Sequence, residues 1–268
     1  MIMLIGCGKM GGAMLRGWLG DADLDADFAI VEPVHDHLRW TESHPNVVLY
    51  SSLADAAGSG RTATMIVLAV KPQLMDEAIA GLAPMADSNT AFLSIAAGIP
   101  TSWFAERLGA EAIILRSMPN TPAAIGKGVT VLFAGAAPVD VVNLATQLLS
   151  AIGSVVMLED EAHMDAVTAV SGSGPAYVFL LAEVMTQAGE KAGLPADLAK
   201  QLAEATVAGA GALIEASEDP PSQLRVNVTS KGGTTAAALD VLMAEGGMGD
   251  LLDRAILAAR DRSIELGS

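Results

Sequence analysis

The sequence is poor in cysteine, histidine and basic residues, and each shortage excludes a class of protein. Cys7 is the single cysteine among 268 residues, so an internal disulfide is impossible and nothing indicates an oxidising compartment. The four histidines are scattered without an H-E-x-x-H motif or Cys/His spacing, so we predict no metal site. Fifteen Lys and Arg residues against 31 Asp and Glu residues leave a formal net charge of -16. That charge disfavours nucleic acid as a partner, because a phosphate backbone would be repelled.

Signals for secretion and for membrane insertion are also missing. The N-terminal residues 1–6 lack a basic region followed by an apolar one, and they resemble a strand more than a signal peptide. Gly, Pro or charged residues cut each apolar stretch before the roughly 18 residues that a spanning helix needs. We therefore expect a soluble, cytoplasmic protein with no membrane partner.

Aliphatic residues are abundant, and in the first part of the chain they alternate with helical segments. Hydrophobic residues make up 51% of the sequence but aromatic residues only 4%, so the cores must be largely aliphatic. Short aliphatic runs of this kind predict strands that are buried on both faces. Strands that alternate with helices predict a doubly wound, mostly parallel sheet. The predicted strands are residues 2–5, 28–31, 65–70, 91–95, 113–115, 129–133 and 155–158.

The last part of the chain has a different composition. It is rich in Ala, Leu, Glu and Met, and it predicts helices at about 162–192, 196–217, 221–229, 233–245 and 248–266. We therefore predict an α/β fold in which a Rossmann-like domain, residues 1–158, precedes an all-helical domain, residues 159–268. The boundary is expected close to Glu159.

A glycine-rich turn follows the first predicted strand. Residues 6–11, Gly-Cys-Gly-Lys-Met-Gly, match G-x-G-x-x-G and open a helix, as a dinucleotide-binding turn requires. Gly6 would allow the tight turn, Gly8 the close approach of the pyrophosphate, and Gly11 the close packing of helix on strand. Free N–H groups at the helix start, near Lys9 and Met10, would bind the phosphates. The alternative is an ordinary structural turn.

An acidic residue ends the second predicted strand. Glu32 is placed to accept hydrogen bonds from the adenosine ribose hydroxyls and to repel a 2′-phosphate. The nearest arginine along the chain is Arg39, several residues away. We therefore expect NADH to be preferred over NADPH, with an exposed loop acid as the alternative interpretation of Glu32.

Five further motifs follow in order along the chain. Together with the glycine turn and the two-part layout, they resemble the pyrroline-5-carboxylate reductase family nearly from end to end. The motifs are Ala69-Val70-Lys71-Pro72, Ser-Ile-Ala-Ala-Gly at 94–98, Met118-Pro119-Asn120-Thr121-Pro122, Ser171-Gly172-Ser173-Gly174-Pro175-Ala176-Tyr177 and Thr229-Ser230-Lys231-Gly232-Gly233-Thr234-Thr235. The resemblance implies NAD(P)H-dependent reduction of 1-pyrroline-5-carboxylate to L-proline. It also implies a helical domain that dimerises and that holds the substrate, with part of the active site supplied by the partner subunit of a homodimer or higher oligomer.

The turn at 230–235 is the expected substrate site. Its hydroxyls and the free N–H groups of the following helix suit the substrate carboxylate, and we assign Ser230, Gly232, Gly233 and Thr234 to it. The alternative is helix capping, for which Ser, Thr and Gly are favoured in any case. The family resemblance places the hydroxyl that bonds the imine nitrogen at Thr235, and it would act by orienting the imine and relaying a proton.

Comparison with the family singles out three further residues near the expected substrate site. Ser173, in a glycine- and proline-containing stretch that is unfavourable for a helix, would lie beside the substrate, and small-residue packing between subunits is the compatible alternative. Glu218 aligns with a loop acid that can meet the ring nitrogen. Lys231 departs from the family, which usually has proline there. It either points into solvent or adds a positive charge near the carboxylate.

The remaining cofactor residues follow predicted strands. Lys71 comes at a carboxyl end, where ligands of open α/β sheets bind, and Asn120 with Thr121 would lie near the nicotinamide unless they only shape a turn. The cofactor set that we predict beyond the glycine turn and Glu32 is Ala69, Val70, Lys71, Pro72, Ala96, Ala97, Gly98 and Asn120.

Two alternatives to the imine reductase are open. A β-hydroxyacid or 6-phosphogluconate-type dehydrogenase shares the two-part plan, but it generally needs a lysine in the first interdomain helix, and residues 162–190 contain none. A nucleotide-binding sensor of the same fold would have lost the chemistry. The intact threonine pair counts against it, and Lys231 is its only support.

Overall fold

The structure is a computed structural model that describes residues 1–82 and 89–267. By its internal contacts the chain divides into two compact units. The nucleotide unit, as we name it from here on, comprises Met1–Gly172 with Ala259–Ser268, and the helical unit comprises Ser173–Ala258. These units are defined by contacts, and the end of the last helix is grouped with the nucleotide unit. The domain boundary near Glu159 therefore stays a prediction.

One eight-stranded sheet forms the centre of the nucleotide unit. Its order is β3-β2-β1-β4-β5-β6-β7-β8, and every neighbouring pair is parallel except β6 with β7. The order reverses direction between β1 and β4, and this switch point is where open α/β sheets bind ligands. The strands are β1 Ile2–Ile5, β2 Phe28–Val31, β3 Val47–Tyr50, β4 Met65–Leu68, β5 Ala91–Ser94, β6 Ile113–Met118, β7 Gly128–Phe133 and β8 Gly153–Leu158.

The predicted doubly wound α/β class is confirmed, and its cause is visible in the strands. All residues of β1, β2, β4 and β5 are buried, as expected for parallel strands covered on both faces. Separate aliphatic clusters pack on the two faces of the sheet. On one face Trp18 stacks on Phe28, with ring centroids 5.5 Å apart, and its Nε1 donates to the Leu148 carbonyl at 2.8 Å.

Helices connect the strands and then continue alone. The predicted strands are found within a few residues, whereas β3 was not predicted. The α-helices of the described residues are α1 Lys9–Gly20, α2 Leu53–Gly58, α3 Met75–Ala80, α4 Thr101–Leu108, α5 Val139–Ser150, α6 Met164–Val167, α7 Gly174–Lys191, α8 Ala196–Ala216, α9 Pro221–Asn227, α10 Thr234–Leu242 and α11 Met248–Leu266.

The predicted helix over 162–192 is interrupted within the stretch 171–177, whose glycines and proline are unfavourable for a helix. The chain forms α6, then a π-helical turn at Thr168–Gly172, and bends at Ser173 before α7. Pro175 sits in the first turn of α7, where its missing N–H costs nothing. Glycine and proline therefore reshape this stretch but do not end it. By length and composition alone, Glu161–Lys191 is long and apolar enough to cross a membrane, which corrects the expectation that every apolar stretch is cut too short.

The helical unit leaves much of its apolar surface uncovered. Its α7 and α8 pack on each other, with Gly189 against Ala199, and Gly193 turns the chain between them at φ +102°. Large apolar side chains on its helices are nevertheless exposed in the single chain, including Phe179 at 65% and Val241 at 73%. Exposed apolar area on this scale marks an interaction surface.

Candidate functional site

The glycine turn has the geometry that its sequence predicts. Gly6 has φ +88°, a value that favours glycine, and its N–H donates to the Val31 carbonyl at 2.9 Å. A Cβ added to Gly11 would stand 2.3 Å from the Gly6 carbonyl oxygen, so this glycine lets α1 pack directly on the turn. At Gly8, by contrast, no described residue other than its two chain neighbours comes within 4 Å of the Cβ position. The turn is thus tightly packed on one side and open where a ligand would approach.

The start of α1 is free to bind an anion. In the described part of the chain, no side chain caps this helix and its first turn contains no acidic residue. The first bond within the helix joins the Gly12 N–H to the Gly8 carbonyl at 2.8 Å. The N–H groups of Lys9, Met10 and Gly11 therefore have no acceptor inside the helix, and they can bind phosphate oxygens.

The Glu32 carboxylate is held in place by backbone donors. Cys7 N–H donates to its Oε2 at 2.7 Å, and Val34 N–H donates to its Oε1 at 3.3 Å. Glu32 is therefore hydrogen-bonded to the glycine turn through Cys7, and its contact with a ribose stays a prediction. Burial raises the pKa of the Cys7 thiol from its ordinary 9.0 to about 12; the Glu32 charge adds to this increase, and Arg16 opposes it.

A cavity of about 760 Å³ lies at the switch point of the sheet. Its walls come from the ends of four strands: Gly6 after β1, Glu32 after β2, Ser51 after β3, and Ala69 after β4. This volume lies within the range usual for ligand sites. With the open Gly8 in its wall and the free N–H groups of α1 beside it, the cavity fits a dinucleotide, and its residues would hold one.

Not all predicted cofactor residues line this switch-point cavity. Gly6, Gly8, Glu32, Ala69, Val70 and Lys71 do. Pro72 lines a separate cavity of about 250 Å³, and Gly98 packs against the end of α11, with its Cβ position 3.1 Å from the Leu266 Cβ. Ala96 is buried in the core, and its N–H donates to Ser94 Oγ at 3.2 Å. Ala97 is half-buried beside it, so the cofactor roles of this segment stay predictions.

Asn120 connects three parts of the nucleotide unit. Its Oδ1 accepts from the Val129 N–H at 3.0 Å, and its Nδ2 donates to the Ser171 carbonyl at 3.1 Å. The side chain is nearly buried. It therefore ties the loop after β6 to β7 and to the π-helical turn, and a contact to the nicotinamide stays a prediction.

A buried ion pair near this loop was not anticipated from the sequence. Arg116 on β6 is 3% exposed, and its Nη1 lies 3.0 Å from Glu161 Oε1. Glu161 also accepts from the N–H and the hydroxyl of Thr101 at 2.8 and 2.5 Å. Among the described residues, Nε and Nη2 of Arg116 have no hydrogen-bond partner. The signal in the sequence was an arginine that directly follows the apolar run Ile-Ile-Leu in β6.

The predicted substrate turn lies in the helical unit. Gly232 has φ +72°, and the Gly233 N–H donates to the Ser230 carbonyl at 3.1 Å, which brings the chain round to the start of α10. The N-cap residue is Gly233, and within residues 89–267 no side chain caps this helix. The helix therefore begins with a glycine cap and without a Ser or Thr side-chain cap. The N–H groups of Thr234 and Thr235 have no acceptor inside the helix.

The other predicted substrate residues are in varied surroundings. Thr235 is half-buried, whereas Ser230, Thr234 and Lys231 are exposed in the single chain. Glu218 is exposed before α9, and Ser173 is half-buried at the bend before α7. Their substrate roles stay predictions. Across the described residues, no group of three or more His, Cys, Asp or Glu side chains could hold a metal ion.

Comparisons with known proteins cover the whole chain. Residues 161–266 match the family described as pyrroline-5-carboxylate reductase dimerisation, and residues 1–98 match the one described as NADP oxidoreductase, coenzyme F420-dependent. The chain is 40% identical over 266 residues to a pyrroline-5-carboxylate reductase of Pseudomonas aeruginosa, covering 99% of this chain and 96% of the relative.

Solved structures agree with the sequence comparison. A pyrroline-5-carboxylate reductase from Coxiella burnetii is similar at a TM-score of 0.89 with 33% identity, covering 100% of this chain and 98% of that one. The Plasmodium falciparum enzyme, solved with NADP bound, is similar at a TM-score of 0.84 with 28% identity and the same coverage. This full-length likeness decides against the hydroxyacid dehydrogenase alternative. The chain belongs to the pyrroline-5-carboxylate reductase family.

Proposed function

We propose that this protein reduces 1-pyrroline-5-carboxylate to L-proline with a nicotinamide dinucleotide as the hydride donor. The full-length likeness to pyrroline-5-carboxylate reductases carries the proposal. The switch-point cavity supports it from the cofactor side, and the uncapped start of α10 supports it from the substrate side.

The helical unit supplies the substrate contacts in this proposal. The free N–H groups at Thr234 and Thr235, with the Ser230 hydroxyl, bind the substrate carboxylate at the positive end of α10. The Thr235 hydroxyl bonds the imine nitrogen and relays a proton to it from water, so that the C=N carbon becomes electrophilic. When bound, the cofactor supplies the hydride that this carbon accepts. Catalysis consists mainly of alignment, because the imine is readily protonated.

The proposal predicts turnover that can be measured directly. Purified protein with 1-pyrroline-5-carboxylate should oxidise NADH and form L-proline in equal amounts. A folded protein that binds NADH but turns over no substrate would instead be the nucleotide sensor. Turnover of a β-hydroxyacid alone would restore the dehydrogenase alternative.

The preferred cofactor in this proposal is NADH. Two backbone N–H groups fix the Glu32 carboxylate where ribose hydroxyls can donate to it, and its charge opposes a 2′-phosphate. The kcat/KM for NADH should therefore exceed that for NADPH, and Glu32→Gln should narrow the gap. A wild-type protein with the higher kcat/KM for NADPH would contradict this assignment.

A second copy of the chain is the proposed partner of the helical unit. Its exposed apolar helices suit an interface between identical subunits, and the matched family is described as a dimerisation family. Phe179→Glu should abolish self-association in sedimentation experiments, whereas Gln187→Glu, the same charge added to an exposed polar site of α7, should not. A Phe179→Glu protein that remains oligomeric would remove this part of α7 from the interface. We also propose that the protein is cytoplasmic.

A further inference from the structure

A lysine occupies the second position of the turn before α10. The Gly233 N–H closes the turn by donating to the Ser230 carbonyl at 3.1 Å, and Gly232 at the third position has φ +72°. Among the described residues, only glycines have a positive φ, so Lys231 does not. This combination matches a type II turn, in which proline is common at the second position because its ring fixes the φ that the turn needs. Lys231 lacks that stiffness.

The charge of Lys231 also opposes the helix that follows. α10 begins at Thr234 after the N-cap Gly233, so Lys231 precedes the N-cap by two residues. The start of a helix carries a partial positive charge, and a cation close to it lowers the stability of the helix. Within residues 89–267, the first turn of α10 has no acidic residue to offset this charge. On grounds of stability alone, both the turn and the helix therefore favour a residue other than lysine.

Lys231 is available to bind an anion. It is exposed, and none of the ion pairs among the described residues includes it. The Ser230 hydroxyl lies at the helix start, because a Cβ added to Gly233 would collide with its oxygen. The turn therefore combines an ammonium, a hydroxyl and the uncapped N–H groups of α10. In the sequence, Lys231 is the only Lys or Arg between Arg225 and Arg254.

We propose that Lys231 is a specificity-determining residue, whose ammonium binds the carboxylate of the imine substrate. The inference rests on the proposed function and deepens it, because it states which imines the turn selects. A cyclic imine that carries a carboxylate is bound more tightly than the same ring without one. Lys231 acts on binding and not on the hydride step, since the carboxylate keeps its charge throughout the reaction.

The test compares two substrates that differ only in the carboxylate, 1-pyrroline-5-carboxylate and 1-pyrroline. Lys231→Gln should raise KM for the first about fivefold, the upper range for an exposed ion pair, and should leave its kcat within about twofold. For 1-pyrroline, kcat/KM should change by less than about twofold. Lys200→Gln, which removes an exposed lysine of α8, is the matched control and should change neither substrate's kinetics.

Lys231→Pro separates substrate binding from stability. Proline fits the second position of the turn, so this variant should have a higher Tm than the wild type. Its KM for 1-pyrroline-5-carboxylate should nevertheless rise, because the ammonium is lost. A residue that only shaped the turn would not give these opposite effects. A lower KM in Lys231→Pro would show that turn stiffness outweighs the charge, and it would overturn the proposal.

The remaining outcomes separate this inference from the proposed function. Equal changes for both imines in Lys231→Gln, or no change for either, overturn it. L-Proline carries the same carboxylate, and its titration with NAD+ present needs no turnover. Its binding should weaken about fivefold in Lys231→Gln, and equal binding, or none in the wild type, would overturn the proposal. A wild type that turns over neither imine counts against the proposed function. Wild-type turnover of 1-pyrroline-5-carboxylate that Lys231→Gln leaves unchanged counts against this inference alone.

Discussion

The two units of the chain use similar aliphatic residues in opposite ways. In the nucleotide unit, strands such as β1 and β4 are buried along their whole length by helices of the same unit. In the helical unit, α7 and α10 contain no buried residue in the single chain. The nucleotide unit therefore buries its own apolar strands, whereas the helical unit leaves apolar helix surface exposed in the single chain.

The largest expected effect is on stability, and it comes from removing the buried ion pair of the nucleotide unit. Glu161→Ala leaves the buried Arg116 without its counter-charge, and we expect it to lower the free energy of unfolding by about 3–5 kcal/mol. Glu159→Ala, at an exposed position nearby, should change it by less than about 0.5 kcal/mol. Denaturant unfolding at fixed protein concentration measures both, and equal midpoints would show that the pair does not stabilise the fold.

The next effect falls on the chemistry of the helical unit. Thr235→Ala should reduce kcat about 100-fold, roughly 2.7 kcal/mol, because it removes the hydroxyl proposed to meet the imine nitrogen. NADH affinity should be unchanged, since the cofactor is assigned to the other unit. Thr206→Ala, at an exposed site on α8, serves as the control and should keep full activity. An unaltered kcat in Thr235→Ala would remove this residue from the mechanism.

A smaller effect on stability and on NADH binding is expected at the glycine turn. Gly11→Ala forces a Cβ to 2.3 Å from the Gly6 carbonyl oxygen, so it should cost about 1–3 kcal/mol of stability and weaken NADH binding. Gly12→Ala makes the same change at the adjacent position, where the nearest atom is 3.7 Å away, and should be neutral or stabilising by up to about 1 kcal/mol. Thermal unfolding and NADH titration compare the two, and indistinguishable variants would refute the close-packing argument.

The smallest effect concerns Cys7. Its pKa is raised from 9.0 to about 12 in the folded protein, so the native state holds the thiol proton more tightly than the unfolded chain does. The resulting contribution to stability is complete below about pH 9 and is lost as pH rises towards about 12. Near neutral pH the contribution is therefore constant. Alkylation at about pH 8 should be slow in the native protein and fast in denaturant, and fast native alkylation would contradict the assignment.

Much of this fold was predictable, because the residues that favour a strand or a turn locally are also the ones that the folded structure buries or packs closely. The buried runs of β1 and β2 and the spacing of Gly6, Gly8 and Gly11 can be recognised in the sequence, and the structure gives each glycine a different packing environment. β3, Val-Val-Leu-Tyr, was missed, and its residues are only half-buried. Without β3, the cavity wall at Ser51 could not be anticipated.

The less predictable features depend on residues far apart in sequence. Arg16 on α1 lies over the Trp40 ring, and Glu161 pairs with Arg116 from 45 residues away, so neither contact leaves a local signal. The π-helical turn at Thr168–Gly172 was also missed, because periodicity does not distinguish it from a regular helix. The substrate roles around Thr235 came from family resemblance, and they await experiment.

The central claim, that this protein transfers hydride from NADH to the C=N carbon of 1-pyrroline-5-carboxylate, is tested most directly by isotope transfer. The protein would be incubated with 1-pyrroline-5-carboxylate and NADH deuterated at the transferable position, and the product analysed by mass spectrometry. We predict L-proline carrying one deuterium at the carbon that formed the C=N bond. Proline without deuterium, or oxidation of NADH without proline, would contradict the account.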